Sequence, residues 1–405
     1  PLSGIISAMA PVEDISHSVT PELNLDEDSV ILVVKINQKN RLAGSIFSEV
    51  TESQYNETPD IDDVKLFKSL FNHIQGLIKD NKILAMHDIS DGGLVTALAE
   101  MCFTKKVGMS IQVDDIDNLN KTLFSEEIGF VIQVKSDDLD MVKSSLNTIN
   151  IYVEEVATIA EESFSILSKE KEVFSESITV LEKYWRETSH AIQSIRDNKK
   201  IADSELNLLD NKNYHGLNSN VSFDENQIKN LLIKGTKPKV AILREQGVNG
   251  QNEMAAAFTI AGFEAFDVHM QDLLDGNIDL KQFQGMAVCG GFSYGDVLGA
   301  GGGWSKTILY NNNVKDQFQQ FFENEATFTL GVCNGCQMLS NLKDIIPEAD
   351  YWPSFERNFS DQFEARLVQV KVENTNSVLL RNMNGWTVPV ASAHGEGRAN
   401  FQMNN

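Results

Sequence analysis

The sequence predicts a chain of two folded units, an α+β unit followed by an α/β unit with a doubly wound parallel sheet. Three observations lead there. From residue 237 on, short apolar runs alternate with stretches of helical periodicity, the pattern of repeated βαβ units. Residues 1–165 carry strands and amphipathic helices without that regular alternation. Between them, residues 166–236 change character, from a long amphipathic stretch to a polar one rich in Asn and Asp.

In chain order, Ser29 to Ile36 holds a buried-looking Ile-Leu-Val-Val core and reads as a strand that ends in a turn at Lys39 and Asn40. Val64 to Lys79 places Leu66, Phe67, Leu70, Phe71, Ile74, Leu77 and Ile78 on one helical stripe. A strand from Ile83 to Met86 is then expected to deliver His87, Asp88, Ser90 and Asp91 into a loop, with Gly92-Gly93 opening a long helix. Carboxylates and a hydroxyl beside glycines at a helix start suit a nucleotide with its magnesium, and equally an ordinary Asp/Ser cap on a glycine turn. Leu123 to Val134 supplies a further strand after Glu126 and Glu127, two acids that read as a loop or helix-end feature, not a second metal site. Val180 to Asn198 is an amphipathic helix carrying His190 as a packing or surface residue, and Lys199 to Asn230 reads as a linker.

In the last part the strands are Val240–Leu243, Ala265–His269, Gly285–Val288 and Phe328–Val332, and the helices Asn252–Ala261 and Lys306–Phe322. A sheet of this kind puts its site at the carboxyl ends of the strands. Gly290 to Asp296 follows one such strand, and its Gly-Gly pair either admits a ligand close to backbone N–H groups or makes a plain turn.

Composition limits the partners. A net charge of −24 over 405 residues, spread along the chain, argues against a nucleic-acid groove or an anionic membrane surface. No apolar run approaches the roughly 20 residues a membrane helix needs. Four cysteines in this length point to a reducing, cytoplasmic compartment and not to a disulfide framework.

The strongest local signal is the stretch Thr327 to Leu339. A strand closes at Gly331, Cys333 stands at the turn, Asn334 and Gly335 let the chain reverse, and Met338, Leu339 and Leu342 recur at helical spacing. A thiol at a helix N-terminus sits where unpaired N–H groups favour negative charge, and the N–H of Asn334 points to where an oxyanion would form. This is a nucleophile elbow with cysteine in place of serine. Two other readings stand beside it. Cys333 and Cys336 form C-x-x-C, a redox pattern, and a lone cysteine is often a small core residue. Zinc needs about four ligands, and no second C-x-x-C or H-x-x-x-H exists.

Gly-Val-Cys-Asn-Gly-Cys-Gln resembles the G-x-C-x-G-x-Q signature of class I glutamine amidotransferases. With SAMAPVEDI, HDISDGGL, REQGVNG, CGGFSYGDVLGAGGGW, GVCNGCQMLSNL and SAHGEGR in the same order, the chain resembles the C-terminal part of the phosphoribosylformylglycinamidine synthases, large single-chain purine-pathway enzymes. The resemblance implies that residues 1–165 are the C-terminal part of a second aminoimidazole-ribonucleotide-synthetase-like domain, 166–236 a helical segment and linker, and 237–405 a flavodoxin-like glutaminase domain. It implies Asp88 as a magnesium ligand, Ser90 as a contact to ATP or ADP, and Cys333 as the nucleophile. The N–H near Gly291 or Phe292 would join that of Asn334 in the oxyanion hole, and Gln337 would lie in the glutamine pocket. Glutamine, ATP and formylglycinamide ribonucleotide would be the substrates, and the full-length enzyme would be a monomer.

His394 and Glu396 stand two apart at the end of a strand expected over Thr387–Ala391, the spacing by which a carboxylate orients an imidazole. In the family the histidine and glutamate lie in a separate H-P-E stretch, which does not occur between Pro1 and Asn405. The expectation is therefore a chain cut at both ends, inactive alone, with its base beyond Asn405 and His394 and Glu396 outside the triad. A stand-alone glutaminase-type hydrolase and a non-catalytic nucleotide-binding scaffold are the alternatives.

Overall fold

A computed structural model describes residues 6–114, 118–169, 171–211, 216–222 and 235–401. It divides into two compact units, Pro1–Ile192 with Asp203–Lys212 and Gln193–Ala202 with Asn213–Asn405.

Among the described residues of the first unit, seven strands form one sheet. They are β1 (Ser29–Lys35), β2 (Ala85–Asp88), β3 (Gly108–Gln112), β4 (Gly129–Lys135), β5 (Tyr152–Ala160), β6 (Ser163–Ser168) and β7 (Lys171–Ser177), in the order β2-β4-β1-β5-β3-β6-β7. Every pair is antiparallel except β3 with β6. Helices α1 (Ile46–Val50), α2 (Val64–Lys79), α3 (Gly93–Lys105), α4 (Leu119–Phe124), α5 (Leu139–Asn147) and α6 (Ile178–Arg196) accompany it. The run Ile31 to Val34 is apolar throughout because both faces of the sheet are covered. Ile31 and Val33 enter the core with Leu94, Leu98 and Met101 of α3, while Leu32 and Val34 enter another with Leu70 and Ile74 of α2 and Val142 of α5.

Four expectations need correction here. His87 and Asp88 lie on β2, which runs Ala85–Asp88 and not Ile83–Met86. The sheet does not end at residue 165, which falls inside β6, and β7 adds a further strand. Phe71, placed on the apolar stripe, is 49% exposed. Lys199 opens a helix, α7 (Lys199–Asn207), and not a linker. Asn198 caps it by accepting from the N–H of Lys200, and Leu208–Asp210 continues as a 3-10 turn. Much of the rest of the expected linker lies outside the described residues.

The loop after β1 is held by a buried ion pair. Arg41 donates from Nε to Glu127 Oε1 at 2.6 Å and from Nη2 to Oε2 at 2.8 Å, and its backbone N–H donates to Oε1 at 3.1 Å. Nη1 and Nη2 also reach the carboxylate of Asp62 at 3.2 and 3.0 Å. The Glu127 side chain is 0% exposed and Arg41 8%. Burial alone would push the Glu127 carboxyl up, but the hydrogen bonds from Arg41 outweigh it and hold the group below its usual value. Glu127 is thus a structural latch between the loop after β1 and the start of β4.

In the second unit, β8 (Lys239–Arg244), β9 (Glu264–His269), β10 (Gly285–Val288) and β11 (Phe328–Gly331) form a parallel sheet in the order β11-β10-β8-β9. This is the 2-1-3-4 order of flavodoxin-like sheets, whose strand order reverses between β8 and β10. Helices α8 (Gln251–Ile260), α9 (Met270–Leu274), α10 (Gly302–Leu309), α11 (Asn312–Glu323) and α12 (Asn334–Asn341) follow in the chain. Alternate residues of each strand serve the two faces. Ala241, Leu243, Met286 and Val288 pack with Trp304, Ile308 and Phe318, whereas Val240, Ile242, Ala287 and Cys289 meet Met254, Ala255 and Phe258 of α8. The single helix expected over Lys306–Phe322 is two helices, since Asn311 leaves helical geometry and caps α11 through the N–H of Val314. The remaining strands pair as β12 (Ser354–Glu356) with β15 (Arg398–Asn400) and β13 (Glu364–Lys371) with β14 (Thr387–His394). Among the described residues no helix is long and apolar enough to cross a membrane.

Replacing Glu127 by Gln keeps the shape and leaves the buried Arg41 guanidinium with only the partly exposed carboxylate of Asp62 as counter-charge. A loss of about 3 kcal/mol is expected, read as a lower urea midpoint at neutral pH. A folded-state pKa below the unfolded one stabilises the fold above the unfolded value. In the wild type this contribution should therefore fade as pH falls below about 4.5 and through the lower folded value, and the variant should lack that part of the acid dependence.

Candidate active site

The switch point of the second sheet brings three loops together, those after β8, β10 and β11. Cys333 caps α12 with φ 52° and ψ −115°, a backbone conformation that costs a non-glycine residue about 1–3 kcal/mol. Its neighbours enforce it. The N–H of Val332 donates to Val288 O at 3.0 Å, so the chain stays in register with β10 up to the turn, and Gly335 N–H returns to Val332 O at 2.9 Å. A Cβ on Gly335 would stand 2.2 Å from Val288 O, so only glycine lets α12 start this close to β10. Met338, Leu339 and Leu342 then anchor the helix in the core. The thiol is left exposed at the carboxyl end of the strand.

The loop after β10 faces that thiol. A Cβ on Gly290 would come within 3.0 Å of Cys333 Cβ and 3.7 Å of its sulfur. Asn334, 1% exposed, ties the two loops: its Oδ1 accepts from Ser293 Oγ at 2.6 Å and its Nδ2 donates to Asp296 Oδ1 at 2.8 Å. The loop after β8 completes the clamp by backbone bonds. Phe292 N–H donates to Gly247 O at 2.9 Å, Tyr294 N–H to Gln246 O at 3.0 Å, and Asn249 N–H to Gly290 O at 3.0 Å. The Phe292 N–H is therefore already engaged. The N–H groups of Gly291 and Asn334 donate to no acceptor among the described residues. Of the N–H groups of Gly291 and Phe292, that of Gly291 is the one left without an acceptor.

Gln337 and the His394–Glu396 segment meet on the other side. Gln337 Nε2 donates to the backbone O of Glu396 at 2.7 Å, and Ala300 N–H donates to Glu396 Oε2 at 2.7 Å. The Glu396 carboxylate thus holds the Gly299–Gly301 turn. It is not hydrogen-bonded to His394, whose buried Nδ1 has no partner among the described residues and whose ring packs on Gly397. The pair lacks the carboxylate-to-imidazole bond that would orient a base.

All four cysteines are free thiols. Burial pushes Cys102 up to about 12 and Cys289 up to about 11, and burial, with the charge of Cys333 beside it, raises Cys336. Only Cys333 is exposed. Cys333 and Cys336 therefore differ in environment, in contrast to a symmetric dithiol.

In the first unit the residues expected to hold a nucleotide are exposed at the end of β2. The Asp88 side chain is 67% exposed, and His87 bridges it, at 3.5 Å, to Glu100 at 2.8 Å. Ser90 is exposed and its carbonyl accepts from Gly93 N–H. The N–H of Gly92 goes to Glu126 Oε1 at 3.0 Å, which also receives Ile46 N–H at 2.9 Å. Among the described residues no group of three His, Cys, Asp or Glu side chains could hold a metal ion. Asp88 alone does not make a magnesium shell. The sequence gives no role to Gly247, Ser293 or Asp296, which stand inside segments that carry the family resemblance; Glu126 reads there as a loop or helix-end feature and Glu396 as lying outside the triad.

Comparison with known proteins agrees with this division. Residues 237–405 match the CobB/CobQ-like glutamine amidotransferase domain, and residues 26–168 the C-terminal domain of AIR synthase related proteins. Solved structures similar to parts of the chain include Thermotoga maritima PurL complexed with FGAR, at 15% identity over 41% of this chain and 30% of that one, with a TM-score of 0.35. The phosphoribosylformylglycinamidine synthase II of Thermotoga maritima matches at 12% identity over 41% and 28%, also at 0.35. A HypE–HypF complex matches at 15% over 38% and 53%, at 0.28. The match spans less than a third of the length of the two Thermotoga chains.

With iodoacetamide near neutral pH, carbamidomethylation is expected first at Cys333, with Cys336 slower and Cys102 and Cys289 protected until unfolding. Peptide mass spectrometry that found Cys336 modified as fast as Cys333 would refute the asymmetry between the two thiols.

Proposed function

We propose, starting from an AIR synthase related domain joined to a glutamine amidotransferase domain in one phosphoribosylformylglycinamidine synthase-like chain, that Cys333 releases ammonia from glutamine for amidine synthesis. The ammonia is the nitrogen donor for the ATP-dependent conversion of formylglycinamide ribonucleotide to formylglycinamidine ribonucleotide. The observation that carries the reading is the exposed thiol of Cys333 in its strained turn, beside the unengaged N–H groups of Gly291 and Asn334. That arrangement suits acyl transfer better than redox exchange, because two backbone donors without an acceptor are available near the thiol to hold a carbonyl oxygen that becomes negative.

The Cys333 thiolate attacks the side-chain amide carbon of glutamine and forms a C–S bond. The carbonyl oxygen takes the negative charge and is held by the two N–H groups. Collapse breaks the C–N bond and, with a proton, releases ammonia, leaving a γ-glutamyl thioester. Water then attacks the same carbon, the C–S bond breaks, and glutamate leaves. Gln337 is tied to the Glu396 carbonyl beside the elbow, and Asn334 keeps the loop after β10 against the elbow through Ser293 and Asp296. His394 is left out of the proton transfers, since Glu396 is committed to Ala300.

A diazoketone analogue of glutamine should alkylate Cys333, and millimolar glutamine should slow that reaction while leaving iodoacetamide labelling of Cys336 unchanged. In a synthase chain that is active as a glutaminase, Cys333→Ala should lose about 10³-fold or more, and His394→Ala should stay within about tenfold of wild type. Diazoketone labelling without protection by glutamine would count against the glutaminase reading. A His394→Ala variant as inactive as Cys333→Ala would make His394 the base.

A further inference from the structure

The first unit contains a cavity that neither Asp88 nor Ser90 lines. It has a volume of about 430 Å³ and lies between β1, β3 and β5 of the sheet and helices α3 and α4. That size is within the range of about 300–1,000 Å³ typical of small-molecule sites. Its floor is apolar, with Val33, Ile111, Val113, Val156 and Leu94. Its charge is unusual for this chain. In a protein of net charge −24 the lining carries three lysines, Lys35, Lys39 and Lys121, against two acids, Asp114 and Glu154.

Lys35 is the distinctive member. It is 3% exposed, and among the described residues its ammonium has a single hydrogen-bond partner, Asn40 Oδ1 at the long distance of 3.5 Å. A buried ammonium is costly unless it is paired. The carboxylates near it are committed elsewhere, Glu127 to Arg41 and Glu154 to the Tyr152 hydroxyl. Lys39 is paired with Asp62 at 3.2 Å, whereas Lys121 is exposed. The two acids of the lining, Asp114 and Glu154, are exposed. Among the described residues the inner charge is therefore positive and under-compensated, and burial holds the Lys35 ammonium below its usual pKa in spite of Glu127 and Glu154.

We propose that this cavity binds a small organic anion, with its phosphate or carboxylate group on the Lys35 ammonium and its remainder against the apolar floor. Asn40 and Thr122 stand in the lining to complete the hydrogen bonding of the acidic group. The proposal does not depend on Cys333 or on glutamine hydrolysis, so either can fail without the other.

The test is thermal unfolding of the chain in inorganic phosphate and in acetate, each against chloride at equal ionic strength and pH. Wild type should gain about 2–4 °C in at least one of the two anions, and Lys35→Met should gain nothing in it. A gain in phosphate alone assigns a phosphate group to the ligand, and a gain in acetate alone a carboxylate. No gain in either anion, or an equal gain in Lys35→Met, overturns the proposal. Should Lys35→Met fail to fold, wild type is treated with pyridoxal 5′-phosphate and borohydride. Tagging of Lys35 that is suppressed by the stabilising anion supports the site, and absent or unsuppressed tagging overturns it.

Discussion

The second unit is organised around one backbone constraint, the reversal of the chain at Cys333 between a parallel strand and a helix. A φ of 52° at a residue with a side chain must be forced, and three close approaches force it. Gly335 lets α12 begin against β10, Gly331 lets Leu339 and Cys336 fold back over the strand end, and Gly290 leaves room for the cysteine itself. The strain is local, while the contacts that sustain it are spread over Val288, Met338 and Leu342 in the core. A thiol held this way cannot relax into the interior as a small apolar side chain would.

Asn334 makes that constraint useful. It is a side-chain bridge between two loops that are 38 to 41 residues apart in sequence, and both of its polar ends are satisfied. Such a fully satisfied buried polar group rigidifies what it joins. The three backbone bonds from the Gln246–Asn249 loop do the same from the other side, and they decide which N–H groups remain free for a ligand. Motif glycines and small polar residues thus act mainly on backbone placement, and in the proposed function the chemistry falls to one sulfur and two amides.

The first unit solves a different problem. Its sheet is antiparallel for the most part yet covered on both faces, so the ends of the strands are the places where polar groups must be managed. Arg41 and Glu127 neutralise one another, and Glu126 satisfies the N–H groups of Ile46 and Gly92. The glycine-rich start of α3 is in consequence partly occupied by the protein's own carboxylate. Lys35, buried in the same unit with one long hydrogen bond, is the charge this arrangement leaves under-compensated.

By itself the sequence determined what depends on neighbours a few residues away. The periodicity of Val64–Lys79 and the short apolar run Gly285–Val288 mark those elements residue for residue, and the order of small residues around Cys333 marks the elbow. Signals a few residues long also went unread: Asn198 and Asn311 are caps, and each changed a linker or one long helix into something else. Only the tertiary structure decided which N–H near Gly291 is spent on Gly247, that Glu396 reaches Ala300 and not His394, and that Glu127 is buried under Arg41. Those partners lie 45 to 96 residues apart. Hydrogen bonding and burial at such separations follow from how strands and loops assemble, and helical or strand periodicity carries no information about them.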